Sequence, residues 1–313
     1  MDFRAAKLED IPGIVSLLRL SLGEKLLPKS EAFWVWKHID NPFGASLVLL
    51  AIDKGDIVGV RAFMRWEWVY QGKVLKALRA VDTAVHPDYQ GQGLFTRLTK
   101  KLLEDAKNEG FDFIFNTPNS KSIQGYYKMG WEKFGSIPIN VQFNGLFVKK
   151  STQVMPNIDV ELFLKTIDRI KMDSEGISKK CNVEFLEWRY LKCPLHTYHF
   201  STDGETYLLI YRFRETSFGT EMRIVEMISL KKIDRQGLRL VNEEIKRIQT
   251  QVKVNYTTNI SSGHGFLLGG IFSLPKLPIG PILTIRDLNL GRLRHGIFDK
   301  SNWDYSLGDL ELF

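Results

Sequence analysis

The stretch V-D-T-A-V-H-P-D-Y-Q-G-Q-G-L-F-T-R, residues Val81 to Arg97, decides the fold. Residues 81 to 85 are mostly β-branched or small, as a strand buried on both faces requires. His86-Pro87 ends the ladder, because Pro brings no N–H and pushes the residue before it into an extended conformation. The turn Gln90-Gly91-Gln92-Gly93 then opens a helix with Leu94, Leu98, Leu102 and Leu103 on one side and Lys100, Lys101 and Glu104 toward the other. Gly110 closes it. A strand, a glycine turn and a helix N-terminus present unpaired backbone N–H groups backed by about half an elementary charge of helix dipole. That is an anion cradle, most naturally one for a pyrophosphate.

A second pattern follows: Asn119-x-x-Ser122-x-x-x-Tyr126-x-x-x-Gly130-Trp131. Carrying both patterns, the sequence resembles the GCN5-related N-acetyltransferases (GNAT superfamily). That family's Q/R-x-x-G-x-G/A segment wraps the pyrophosphate of acetyl-coenzyme A (acetyl-CoA), and its N-x-x-A-x-x-x-Y-x-x-x-G-F signature lies downstream. Gln90 and Gly93 fill the first two positions of the former, and Phe95 stands where the family has Gly or Ala. The resemblance implies that Val85, Gln90, Gly91, Gln92, Gly93, Leu94, Phe95 and Thr96 hold the cofactor. It further implies that Asn119 and Ser122 lie along the cofactor arm and that Tyr126 protonates the departing thiolate.

The chain has 313 residues, enough for two domains, with 44% hydrophobic and 25% charged residues, which are globular values. Its net charge of +7 favours anionic partners, and CoA qualifies as well as a nucleic acid does. No RNA-binding signature, zinc-ligand spacing or block of like charges is present, so neither a nucleic-acid partner nor a metal is expected. Cys181 and Cys193 are too few for a disulfide framework, and they read as free thiols. Asp2, Arg4, Lys7, Glu9 and Asp10 exclude a signal-peptide core, and no stretch is long and apolar enough to span a membrane. The expected location is the cytoplasm.

Ahead of the decisive stretch come a short strand at Phe3–Ala6, a helix carrying Ile11, Ile14, Val15, Leu18 and Leu22, and a helix capped by Ser30 and ended by Asn41-Pro42. Two hairpins follow, Leu47–Ile52 with Ile57–Met64 and Trp66–Tyr70 with Lys73–Ala77, turning at Lys54-Gly55 and Gln71-Gly72. Phe111–Asn116 is expected as the strand at the far edge, parallel to the Val81 strand because a helix joins them. Pro87 and Pro118 are expected to end this pair at similar heights. A helix at Ser120–Met129 and closing strands at Trp131–Phe134 and Ile139–Val148 complete the first half.

Lys149-Lys150-Ser151-Thr152 marks a boundary, giving domains 1–150 and 151–313. Phe185-x-x-Trp188-Arg189-x-x-x-x-Pro194 repeats the spacing of Phe33-x-x-Trp36-Lys37-x-x-x-x-Pro42, and Gly265-x-x-x-x-Gly270-Ile271 echoes Gly125-x-x-x-x-Gly130-Trp131. These echoes argue for an internal duplication. The second copy has lost the cofactor signature, with Asp234-Arg235-Gln236-Gly237 for the glycine turn and Phe266 for Tyr126. The expected fold class is therefore α/β, with two GNAT-like domains. Each would be a mixed, mostly antiparallel twisted sheet flanked by helices with a splayed parallel strand pair. The second would shape the substrate cleft, with Pro275, Pro278 and Pro281 as a stiff loop.

The expected activity is transfer of an acetyl group from acetyl-CoA to a primary amine of a small molecule, such as an amino sugar or a polyamine. Backbone amides near Val85 would receive the oxyanion. Asp82 is the first candidate for the general base, with Glu67 and His86 as alternatives. A buried carboxylate is otherwise paired, and Arg61, Arg65 and Arg79 are near it in sequence. In a related family of multi-domain acetyltransferases the terminal carboxylate enters the active site, and that resemblance makes the carboxylate after Asp309-Leu310-Glu311-Leu312-Phe313 a further candidate base, although the third domain of that family is absent here. Two other readings stay open: an aminoacyl transferase of the peptidoglycan-bridge type, and a non-catalytic acyl-CoA-binding module.

Overall fold

The computed structural model describes residues 1–23, 28–144, 160–168, 176–231, 234–260, 272–273 and 280–310. The first half begins with β1 (Asp2–Ala5), α1 (Ile11–Leu22), α2 (Glu31–His38) and the antiparallel strands β2 (Leu47–Asp53), β3 (Asp56–Tyr70) and β4 (Lys73–Val85). Pro12 sits in the first turn of α1, where a missing N–H costs little, and Ser30 caps α2 by accepting the Phe33 N–H at 3.1 Å. Two separate hairpins were expected between residues 47 and 77. Instead β3 and β4 run unbroken for 15 and 13 residues, because alternate side chains keep finding a buried face along their whole length.

α3 (Leu94–Asn108) crosses over to β5 (Phe113–Asn116), which is parallel to β4 as expected. α4 (Ile123–Lys128) is shorter than the expected 120–129. The Asn119 side-chain oxygen accepts the N–H groups of Lys121 and Ser122, each at 3.0 Å, and holds those residues in a turn. β6 (Glu132–Ser136) and β7 (Asn140–Phe143) follow. The second half contributes α5 (Val160–Ile167), β8 (Ile177–Lys179), α6 (Val183–Leu186), β9 (His199–Thr202), β10 (Tyr207–Thr216) and β11 (Gly219–Ser229). After these come α7 (Arg235–Val252), β12 (Tyr256–Asn259), β13 (Phe272–Ser273), β14 (Ile282–Asp287) and β15 (Trp303–Asp304).

The fold class is the expected one, with two mixed sheets: the first has the parallel pairs β4–β5 and β8–β15 and the second has β11–β12, beside antiparallel neighbours. The edges depart from expectation. β5 does not close the first sheet: the order is β1-β2-β3-β4-β5-β14-β6, with β14 arriving from the far end of the chain. β7, expected to close the first sheet, instead enters the second, whose order is β13-β7-β12-β11-β10-β9. The halves thus exchange strands at corresponding places, β14 beside β5 and β7 beside β12, and β8 and β15 of the second half also join the first sheet through β3. A pattern of alternating residues specifies a strand but not which sheet accepts it.

The duplication also shows in the ladders. β4 has a bulge at Asp82, between the pairs Ala62↔Val81 and Arg61↔Thr83, and β11 has one at Val225, between Tyr211↔Ile224 and Ile210↔Glu226. Both bulges lie just beyond the last parallel pair, Arg79↔Phe115 in one sheet and Arg223↔Thr258 in the other. The repeated segments around Trp36 and Trp188 meet in the buried core between the sheets. The boundary at 149–152, the Gly265–Ile271 echo with Phe266, Pro275 and Pro278, and the last residues 311–313 lie outside the described residues. No helix among the described residues is long and apolar enough to cross a membrane.

Candidate active site

β4 and β5 pair only over Ala77–Arg79 and Phe113–Phe115. Beyond that point β5 stops at Asn116, while β4 continues to Val85 along β3. The two prolines expected at similar heights are offset: extending the register puts Pro118 level with Asp82, five residues short of Pro87. The bulge at Asp82, whose φ is +30°, adds a residue there and bends β4 away from its neighbour. His86 donates its N–H to the Val58 carbonyl at 2.9 Å, so ladder alternation turns Val85 toward the edge that β5 has left. The Val85 carbonyl accepts the Gln90 side-chain amide at 3.2 Å and the Ser21 hydroxyl at 3.0 Å. Its N–H faces the same opening.

The loop beyond is built for an anion. Gly91 and Gly93 have φ of +74° and +73°, a left-handed backbone that side chains disfavour, and a Cβ on either would meet open space. The α3 ladder starts with the Arg97 N–H donating to the Gly93 carbonyl at 3.1 Å. From Gly91 to Thr96 the main-chain N–H groups have no acceptor among the described residues, and no side chain caps them. Gln92 folds back, its side-chain amide donating to the Asp88 carbonyl at 3.1 Å. In the second half the corresponding helix end is closed. Asp234 accepts the Gly237 N–H at 2.8 Å and places a carboxylate where an anion would have to sit.

Tyr126 projects from α4 into the same side of the sheet, 5% exposed, with Trp131 and Phe95 edge-on to its ring at 5.0 and 5.6 Å. Its hydroxyl has no hydrogen-bond partner among the described residues. The Phe95 ring runs beneath α3 to α4, leaving the row of amides uncovered. Asn119 uses its side-chain oxygen to cap the α4 turn and to accept the Ser122 hydroxyl at 3.1 Å, so Ser122 is held by Asn119. The Asn119 amide nitrogen stays available as a donor.

The base expected at Asp82 has a different setting. Its carboxylate accepts the Lys37 ammonium at 2.6 Å and the His38 ring at 2.8 Å, so its partners come from α2 and not from Arg61, Arg65 or Arg79. Burial pushes its pKa up, but Lys37 and His38 outweigh that and hold it well below the usual carboxylate range. A carboxylate so held is a weak proton acceptor. The His38 ring meets the Ser46 hydroxyl at 2.8 Å with its other nitrogen. His38 and Ser46, but not Asp82, border a cavity of about 540 Å³ also lined by Ala6, Lys7, Ile11, Trp34 and Leu47. Glu67 lies far along β3, paired with Lys180 at 2.6 Å, and His86 turns outward to accept the Asp88 N–H. Neither enters the opening.

Two side chains at the opening went unremarked as site residues in the sequence. Arg61, fully buried on β3, donates to the Thr83 hydroxyl and to the Val81 carbonyl, and lies over the rings of Phe63, Tyr126 and Phe95. Only the strand register, which sets Arg61 opposite Thr83, could have brought them together.

A splayed strand pair, an uncapped glycine turn and a tyrosine on the same side of the sheet together frame one opening with free backbone donors. Residues 2–134 match the family model described as an acetyltransferase (GNAT) domain, so the first part of the chain carries a domain of that family. Among solved structures it is similar to a probable N-acyltransferase of Enterococcus faecalis, a conserved protein of unknown function, at 13% identity and a TM-score of 0.65. That alignment covers 94% of this chain and 74% of the other. It is similar to a GCN5-related N-acetyltransferase from Anabaena variabilis at 15% identity, over 92% and 74% of the two chains, with a TM-score of 0.66. The Saccharomyces cerevisiae N-myristoyltransferase, solved with bound myristoyl-CoA, matches at 10% identity over 91% and 78%, with a TM-score of 0.55. At these identities the likeness is one of fold. No curated protein matches the sequence.

Proposed function

We propose that this protein transfers an acetyl group from acetyl-CoA to the primary amine of a small molecule, by direct attack within a ternary complex. The observation that carries the proposal is the unpaired amide row from Gly91 to Thr96, set beside the gap that β4 and β5 leave open. Those amides and the α3 dipole suit a diphosphate. From there the donor arm would follow the exposed edge of β4 past Val85, with Gln90, Gln92, Leu94, Phe95, Asn119 and Ser122 along its sides.

Chemistry then falls to few groups. The amine lone pair attacks the thioester carbonyl, the C–N bond forms, and the Val85 N–H stabilises the oxyanion. As the C–S bond breaks, the Tyr126 hydroxyl gives its proton to the thiolate, an effect worth roughly 10²–10⁴ in rate. The nitrogen, positively charged after attack, gives its extra proton to solvent water. Asp82, engaged by Lys37 and His38, serves to fix the bulge that shapes the gap. An assay of thiol release from acetyl-CoA over a panel of amino sugars and polyamines tests the reading. Turnover above hydrolysis with at least one amine is expected, and tight CoA binding without turnover on any would leave a binding module instead.

A further inference from the structure

Arg61 has what its fold does not require. It is 0% exposed, and no carboxylate among the described residues pairs with its guanidinium. One nitrogen, Nη1, donates to the Val81 carbonyl at 3.4 Å and to the Thr83 hydroxyl. Nε and Nη2 have no acceptor among the described residues. These two form the side-on edge of the guanidinium, the edge whose parallel N–H groups match the two oxygens of a carboxylate. The faces of the group are occupied by the rings of Phe63, Tyr126 and Phe95, at 4.8, 5.4 and 5.7 Å from their centroids. Aromatic faces attract a cation but do not saturate its N–H groups. A buried cation with an empty edge is costly, and an anion from outside the chain would relieve it.

The duplicated half does not repeat this arrangement: across its own bulge the register aligns Arg61 with Ile210, whose side chain lies in the core between the sheets, whereas Arg61 faces the α3 side.

Location says what kind of anion. The diphosphate cradle lies at the mouth, beyond Val85, whereas Thr83 is two residues deeper along β4, a distance of about 7 Å. Arg61 is thus at the reacting end of the opening, beside the Tyr126 ring. We propose that Arg61 is a carboxylate receptor at the inner end of this site, so that one of the two reactants carries a carboxylate close to the bond being made. It would be the far carboxylate of a dicarboxylic acyl thioester or the carboxylate of an amino-acid acceptor. Phe95, half-buried, would have to turn aside to admit it. The inference rests on the acyl-CoA reading of the same opening.

The test is calorimetric titration of the full chain and of Arg61→Met with CoA, acetyl-CoA and succinyl-CoA, together with turnover of amino acids against the same amines lacking the carboxylate. Wild type should favour one carboxylate-bearing reactant by about tenfold or more over its uncharged counterpart, as a charge-assisted bidentate pair implies. Preference for succinyl-CoA identifies the donor as its source, and preference for the amino acid identifies the acceptor. In Arg61→Met that preference should fall to near unity, while CoA itself binds as before and the melting temperature does not drop. No preference in wild type, a preference that survives in Arg61→Met, or a marked loss of thermal stability in the variant would each overturn the proposal. Failure of wild type to bind CoA would instead overturn the acyl-CoA reading beneath it.

Discussion

Trp36 and Trp188 each donate the indole N–H to the other's main-chain carbonyl, at 2.8 and 2.7 Å, across rings stacked 4.8 Å apart. Residues 152 positions apart in a repeated pattern thus meet about a local two-fold, as the two copies of a dimer interface would. Trp188→Phe keeps the ring and removes one donor, leaving the Trp36 carbonyl buried without its partner. It should cost about 1–3 kcal/mol. Urea denaturation of both single Phe variants and the double variant checks this, and the double should cost less than the two singles together, since they share one contact.

The strand exchange makes a second prediction. Without β14, which pairs with β5 on one side and β6 on the other, residues 1–144 would expose two unpaired strand edges. Expressed alone, this fragment should aggregate or run as a mixture of sizes on gel filtration. A monodisperse fragment that binds CoA would contradict the view that the two halves fold as one interlocked unit.

Asp82→Asn removes the counter-charge at Lys37 while keeping a residue type that tolerates the positive φ of the bulge. The expected loss is about 3–5 kcal/mol near neutral pH. Because the folded carboxyl titrates below its unfolded value, the stabilisation is present above pH ~4 and is lost as the pH falls toward the folded value. The gap between wild type and variant should therefore narrow by about 1.4 kcal/mol per pH unit below ~4. Denaturation curves at pH 7 and pH 3 measure it. A gap that widened in acid would reverse the sign argued here.

Tyr126→Phe should lower turnover by about 10²-fold or more with CoA affinity nearly unchanged. The Phe95 and Trp131 contacts involve the ring and survive the change. Tyr127→Phe, one residue on and off the opening, is the comparison, and an equal loss there would remove the role given to Tyr126.

Much of this was legible in the sequence where chemistry is local. The glycine turn, the helix it opens and the parallel crossover all follow from residues within one stretch, and the Trp36 and Trp188 repeat was visible as spacing. What escaped was non-local. Nothing in Asn140–Phe143 or Ile282–Asp287 says which sheet takes the strand, since alternation is the same either way. Asp82 reads in sequence as a candidate base, with a nearby arginine as its alternative partner, yet its partners come from α2, His38 lying 44 residues earlier. Arg61 needed the register and the bulge before its empty edge meant anything.

Amide hydrogen exchange across Gly91–Thr96, with and without CoA, tests the central claim most directly. In the free protein these N–H groups lack acceptors and should exchange quickly. Bound CoA should slow them together, as a diphosphate accepting from the row would. Exchange that stays fast at saturating CoA, or protection that appears only elsewhere in the chain, would contradict the account.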